Sequence, residues 1–435
     1  GVYVSDTLAQ SYAPVDISAS HIRVNASSFH RNRAVHDVLD LTSRSTCART
    51  EGGNMMGPRA GGASLVGGLS ITVTASIFWN NAAECGGALH VSDQITREAV
   101  DGQASITGSS IAYNEAYVLD GGGIVAERLA TLAVSGSGVL ANKAKRAGGG
   151  IDTSDVDTLT VSRSGVNFNA TETGDGGGIN ASSENAGSKV VIDTSIVRNN
   201  SAGFSGGGVA AEMGTVSLLA SRVSTNTALE GDGGGVYALE PDGAAAANYR
   251  ILLDGSTVSG NGAPEGEGGG VRAISTSATR VVNSTIVDNR AKLAGGLDVP
   301  IGPLDMQLST VTGNAATSNQ GAGIALGRGL AAGADIASTV VNSIIWGNTG
   351  AGATDLWASA GAANRASVSY VIHTAAGSVN VPVSAGDIVA DPQLGPLGNN
   401  GGPAPDASNP MLTRAPLAGS PAIGAGKATS TAMDQ

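Results

Sequence analysis

The chain has 435 residues, 65 of them glycine, with 3% aromatic and 14% charged side chains and a formal net charge of −12. That charge excludes nucleic acid and anionic membrane as expected partners, since both are bound through clustered Lys and Arg. No apolar run reaches the roughly 18 residues a membrane-spanning helix needs, so this segment is expected to hold none. Its core must instead come from small aliphatic side chains stacked in layers, as in solenoids.

In chain order, Gly1-Val2-Tyr3-Val4 matches Gly235-Val236-Tyr237-Ala238, the end of a glycine triplet and the strand behind it. The chain is therefore expected to begin inside a coil, with a signal peptide and a solenoid cap upstream. An insertion over about 33–60 follows the first coil. It contains Cys47, and the second cysteine, Cys85, precedes a glycine turn one coil later. This spacing fits no zinc or redox motif. One Cys47–Cys85 disulfide is expected, in keeping with an oxidising, extracytoplasmic setting, against the alternative of two buried thiols. Of the five histidines, His21, His30, His36 and His90 fall in the first coils and His373 stands apart. They form no motif and read as solvated loop residues.

A repeat occupies most of the chain. Its unit is Ser or Gly, an aliphatic residue, two variable residues and Asn, followed after a short spacer by Gly-Gly-Gly and Ile or Val. The marking asparagines are read as Asn114, Asn142, Asn169, Asn199, Asn226, Asn261, Asn289 and Asn314, with flanking copies at Asn32, Asn80 and Asn348. Spacings from Asn114 onward are 28, 27, 30, 27, 35, 28, 25 and 34 residues. A fixed motif with variable coil length implies loops inserted at one corner of a constant ring. Segments such as Leu129–Val134, Lys189–Asp193 and Tyr249–Asp254 have strand period and strand length, and none has helical period.

These features predict an all-β chain: a right-handed, single-stranded parallel β-helix of about 11–14 coils, about three strands to each. The aliphatic residue three before each Asn should point into the bore, stacked on its equivalents at ~4.8 Å. The Asn should occupy a left-handed corner and bond its equivalent in the next coil. Glycine triplets should permit positive φ and close approach. The triplets recur without helices, so they are not phosphate loops. The string Gly203-Phe204-Ser205-Gly206-Gly207 overlaps a triplet and lacks the helix of a nucleophile elbow.

After Asn348 the rhythm fades, giving an expected division into a β-helix over 1–390 and an irregular, Pro- and Gly-rich C-terminal cap over 391–435. The tail runs Asp391-Pro392-Gln393-Leu394-Gly395-Pro396-Leu397-Gly398-Asn399-Asn400-Gly401-Gly402-Pro403, then Gly419-Ser420-Pro421-Ala422-Ile423-Gly424-Ala425-Gly426, and ends in Asp434-Gln435. It resembles the end of bacterial surface β-helix proteins of the choice-of-anchor Q class, with the pattern D-P-x-L-G-P-L-x-x-N-G-G-P, G-S-P-A-I-x-A-G and D-Q-R-G. Gly424 departs from that pattern, standing where an acid is usual. The repeats are similar to those of polymorphic outer-membrane autotransporter passengers. The resemblance covers nearly the whole chain and implies a secreted, cell-surface protein with surface or matrix glycans or proteins as partners, or self-association.

One acidic corner bears on chemistry. Asp175, Asp232 and Glu267 hold equivalent places before glycine triplets, with Glu230 and Glu265 two residues earlier. Asp232 and Glu267 should lie on adjacent coils roughly 5 Å apart. Such a pair suits a retaining glycosidase or, with Glu230 and Glu265, a calcium ion; the plain reading is a solvated corner. Sugar platforms look scarce, because Trp79, Trp346 and Trp357 are far from this corner in coil order. Three functions follow as expectations: a structural or adhesive surface protein without catalysis and without a cofactor, a carbohydrate-active enzyme, or a subunit of a filament or surface array.

Overall fold

The computed structural model describes residues 2–5, 15–18, 21–32, 60–66, 70–93, 101–183, 188–240, 249–318, 320–329, 336–351, 355–359, 364–374, 378–381, 384, 386–401 and 410–427. Among these there is no helix, and nearly all strand pairing is parallel between successive coils. The protein is a parallel β-helix.

Each coil contributes three strands. The first follows the glycines, as in Ile179–Ser182, Val209–Glu212 and Val236–Leu239, paired residue for residue. The second includes Ser188–Asp193, Gly214–Leu219 and Ile251–Asp254. The third is short, as in Gly165–Asn167, Ile196–Arg198 and Arg222–Ser224. Between Asn and glycines, pairs such as Thr227–Ala228 form a minor fourth stack.

Strand period two sends alternate side chains inward. The middle residues of the third strands, Val166, Val197, Val223, Val258, Ile286 and Val311, are fully buried in one continuous bore cluster. Burying each such side chain contributes roughly 1.5–3 kcal/mol. Coil length varies mainly between the first and second strands, which are continuous in Ile151–Ser162 and separate in Val236–Leu239 and Ile251–Asp254.

An asparagine ladder runs from Asn32 to Asn348 with two corrections to its register. The rungs are Asn81 rather than Asn80, and Asn200 rather than Asn199. Each rung's Nδ2 donates to Oδ1 of the next at 2.8–3.0 Å, and its backbone N–H donates to the same oxygen. The second Nδ2 hydrogen goes to a bore residue's carbonyl in the preceding coil, as Asn142 to Ile111 at 2.9 Å. All side-chain valences are thereby filled, which a buried amide requires. The expected left-handed backbone falls instead on the preceding residue: Tyr113, Ala141, Phe168, Asn199 and Thr225 have φ of 51–59°. Asn80, φ 55°, and Asn199 took the place of the rungs in the sequence because two asparagines are adjacent there.

A second ladder is made of serine. Ser76, Ser109, Ser137, Ser164, Ser195, Ser221, Ser256, Ser284 and Ser309 each donate their backbone N–H to the hydroxyl of the next coil's serine at 3.0–3.3 Å. Each of these hydroxyls donates to a backbone carbonyl, most often that of the residue two earlier, as Ser195 to Asp193 at 2.7 Å.

The triplet glycines have distinct jobs. Gly148 has φ 62°, and a Cβ there would lie 2.4 Å from Cβ of Asp152, which packs over it. A Cβ on Gly149 would lie 2.5 Å from the carbonyl oxygen of Gly177 in the next coil. The first glycine is needed for conformation and the second for close approach of coils.

Cys85 is buried and disulfide-bonded. Cys47 and nearly all of the 33–60 insertion lie outside the described residues, as do 428–435. The tail beyond Asp391 does not simply sit over the last coil. Asp387 and Ile388 close that coil, with Ile388 N–H bonded to Val371 O at 2.9 Å. The chain then forms a hairpin, Gly398–Asn399 antiparallel to Leu412–Thr413, along the flank formed by the third strands. Thr257 Oγ1 donates to Leu412 O at 2.8 Å, Arg414 pairs with Asp288 at 3.0 Å, and Asn342 exchanges two hydrogen bonds with Lys427. Outward-facing Thr257, Thr285 and Val287 are fully buried there, whereas the equivalent Ile77 is 45% exposed.

Candidate functional site

The acidic corner lies where the minor stack meets the glycines. Left-handed Gly233 and Gly268 turn the chain so that Asp232 and Glu267 stand on adjacent coils. Asp232 Oδ1 accepts the backbone N–H of Glu267 at 2.8 Å. Asp175 does the same for Ser205 at 2.7 Å, and Asp120 for Ala147 at 2.8 Å. Ser205 continues the row by accepting the N–H of Asp232 at 3.1 Å. These side chains therefore satisfy backbone donors of the following coil.

The second residue after each triplet forms a row beside the corner: Asp152, Asn180, Ala210, Tyr237, Arg272, Asp298, Ala325 and Trp357, in register through successive strand pairs. Arg272 reaches Asp232 at 3.4 Å, Asp298 at 3.0 Å and the Glu267 carboxylate. Arg328 forks onto Glu267 at 2.9 and 3.1 Å and onto both oxygens of Asp298 at 2.9 Å. Three carboxylates thus share two guanidiniums. Burial pushes the Asp298 carboxyl up, against the pull of Arg328 and Arg272; Asp232 is raised for the same reason and opposed by the same two cations. The Tyr237 phenol is pushed up to about 12 by burial and by the Asp232 charge.

Sequence reading brought Asp232 and Glu267 together correctly and missed Arg272, Asp298 and Arg328. The signal for two of them was present: Val236-Tyr237, Val271-Arg272 and Leu297-Asp298 align once the triplets are superposed. Glu230 and Glu265 are exposed and stand outside the network. Trp357 is itself the last member of the row, four coil steps from Tyr237, and packs against Leu293, Ala294 and Ala325.

For a glycosidase, one carboxyl must hold a proton and the other attack or assist, both free toward the sugar. Here Glu267 is forked by Arg328 and held by Arg272, and Asp232 is divided between Arg272 and a backbone N–H. Cationic side chains already occupy the position a calcium ion would need. Among the described residues no group of three His, Cys, Asp or Glu side chains is arranged to hold a metal.

A second acidic group lies farther along the same row. Asp152 is 7% exposed and accepts from Asn180 Nδ2 at 2.8 Å. Burial and the Asp120 charge push it up to about 8, so it holds a proton into the neutral range. Asp120 is also raised, chiefly by burial. Nearby, His90 pairs with Glu127 at 3.3 Å and with Ser64 at 3.0 Å.

No protein-family model, curated protein or solved structure matches this chain.

Proposed function

We propose that the protein is an extracellular, cell-surface β-helix serving as a structural and adhesive scaffold without catalysis of its own. The observation that carries this reading is the use made of its best carboxylates. Asp232, Glu267 and Asp298 are held by Arg272 and Arg328, and Asp232 also satisfies the backbone of the next coil. Such an arrangement stiffens a coil junction and leaves neither Asp232 nor Glu267 free for proton transfer. The resemblance of the Asp391–Pro403 and Gly419–Gly426 blocks to the choice-of-anchor Q class supports a bacterial surface location.

The test has two arms. Purified protein is assayed for release of reducing ends or unsaturated products from a panel of neutral and acidic polysaccharides, and none is expected. Turnover that disappears in the Asp232→Ala/Glu267→Ala double variant would establish the carbohydrate-active alternative instead. Separately, intact producing cells are treated with protease. Release of β-helix fragments into the medium is expected, and full protection would refute the surface assignment.

A further inference from the structure

We infer that the flank formed by the third strands, over the coils from Ser28 to Ser224, is a binding face for a linear acidic polysaccharide. This deepens the adhesive reading and rests on it for its setting.

The face is bounded by the serine and asparagine corners. Its outward positions are the first and third residues of each third strand, together with the left-handed residue at each corner. From Ala26 to Thr225 none of these positions is Asp or Glu, although the chain has 36 acids against 24 Lys and Arg. They include Arg31, Arg163, Arg198 and Arg222 instead. Over these coils the face therefore carries cations and no acid, on a molecule that is acidic as a whole.

Two of these arginines form a close pair with no counter-ion among the described residues. Arg198 and Arg222 stand on adjacent coils, and neither makes an ion pair among the described residues. Nε of each is buried without a hydrogen-bond partner. The Arg222 guanidinium is weakened by its own burial and then by the Arg198 charge. Two half-buried guanidiniums that repel one another are arranged to receive an anion, and guanidinium forks match carboxylate or sulfate oxygens.

Aromatic rings occupy the same face. His30 and Trp79 have ring centroids 6.0 Å apart, and Trp79 and Tyr113 6.2 Å apart, with Arg31 5.6 Å above Trp79. Farther along, Arg198 lies 5.9 Å over Phe168. Tyr113 is 60% exposed and Phe168 56%, in a chain with only 3% aromatic residues. Exposed ring faces and cations repeated at coil steps of ~4.8 Å suit a polymer of repeating anionic rings. The fold itself shows that this flank packs against a strand-like partner, a β-hairpin. From Thr257 onward it is covered by the protein's own tail, and Arg222 is in register with Thr257 at that boundary.

The test is direct binding of the full chain to polygalacturonate (carboxylated), dextran sulfate (sulfated) and neutral dextran by biolayer interferometry at two salt concentrations. Binding to an acidic polymer, absent for dextran and weakened by salt, is expected; the two acidic polymers separate carboxylate from sulfate recognition. Arg198→Ala/Arg222→Ala should weaken it at least ~10-fold, and Trp79→Ala several-fold, as expected for charge-assisted pairs and ring stacking. Lys189→Ala, on the second stack, should change nothing. If the double alanine variant fails to fold, Arg198→Lys/Arg222→Lys keeps the charge and removes the fork, and should still weaken binding. Equal binding by dextran, an unchanged affinity in the arginine variants, or tighter binding of a single-stranded oligonucleotide would overturn the inference. Failure here would leave the scaffold reading intact, since that reading is judged by turnover and surface exposure.

Discussion

Asn348 donates both its backbone N–H and its Nδ2–H to one oxygen of Asp355, at 3.0 and 2.9 Å. Every earlier rung hands its bonds to an amide that must itself donate onward. A carboxylate only accepts, so Asp355 ends the ladder, its second oxygen taking the N–H of Thr374 at 3.1 Å. Asp355→Ala would orphan two buried donors and is expected to cost on the order of 2–5 kcal/mol. Circular dichroism melting gives the size of the effect. Faster amide exchange at Asn348 would locate it, and an unchanged melting temperature would show that water replaces the carboxylate at no cost.

The one-residue shift of the ladder predicts a contrast between neighbours. Asn200→Ala removes a fully bonded buried amide and should cost ~2–4 kcal/mol. Asn199→Gly should be neutral or slightly stabilising, because φ of 54° suits glycine. A larger loss for the Asn199 variant in parallel melts would restore the register read from sequence.

Asp152 makes stability depend on pH in a defined direction. Its folded pKa of about 8 lies above the unfolded value of 3.8, so the native state binds the extra proton between them. Stability from this group is intact below the unfolded value and falls as pH rises through that window. Asp152→Asn keeps an acceptor for Asn180 and removes the titration. Its melting temperature should exceed that of the wild type by a margin that grows from pH 5 to pH 8. A constant margin would mean that the carboxyl titrates normally.

In the arginine network, the two carboxylates that contact both guanidiniums should differ. Asp298 is fully buried, whereas the Glu267 side chain is 29% exposed. Asp298→Ala is expected to cost ~3–5 kcal/mol through the cations left behind, and Glu267→Gln about 1 kcal/mol. Urea titration of the two variants measures both, and equal losses would contradict a graded burial of the network.

The coil architecture was legible because its marks are backbone requirements: glycines where a Cβ would strike the next coil, and an asparagine at one corner of each coil. The ladder register was ambiguous only where two asparagines adjoin, and serine resolves it. Ser76 and Ser195 lie five residues before Asn81 and Asn200, as Ser109 does before Asn114. The acidic corner was half legible. Asp232 and Glu267 share a repeat position, but Arg328 reaches Glu267 from a stretch outside the motif. The course of the tail was not legible, because its contacts join residues as far apart as Thr257 and Leu412 and follow no period.

That tail changes how the protein should come apart. In a stack held only by neighbours, coils fray one at a time from an open end. The hairpin between Asp391 and Lys427 clasps the flank from Thr257 to Asn342, so those coils can separate only when the clasp lets go. The coils from Thr257 to Asn342 should behave as one cooperative block. A pull applied along the chain would meet its largest single rupture at the clasp.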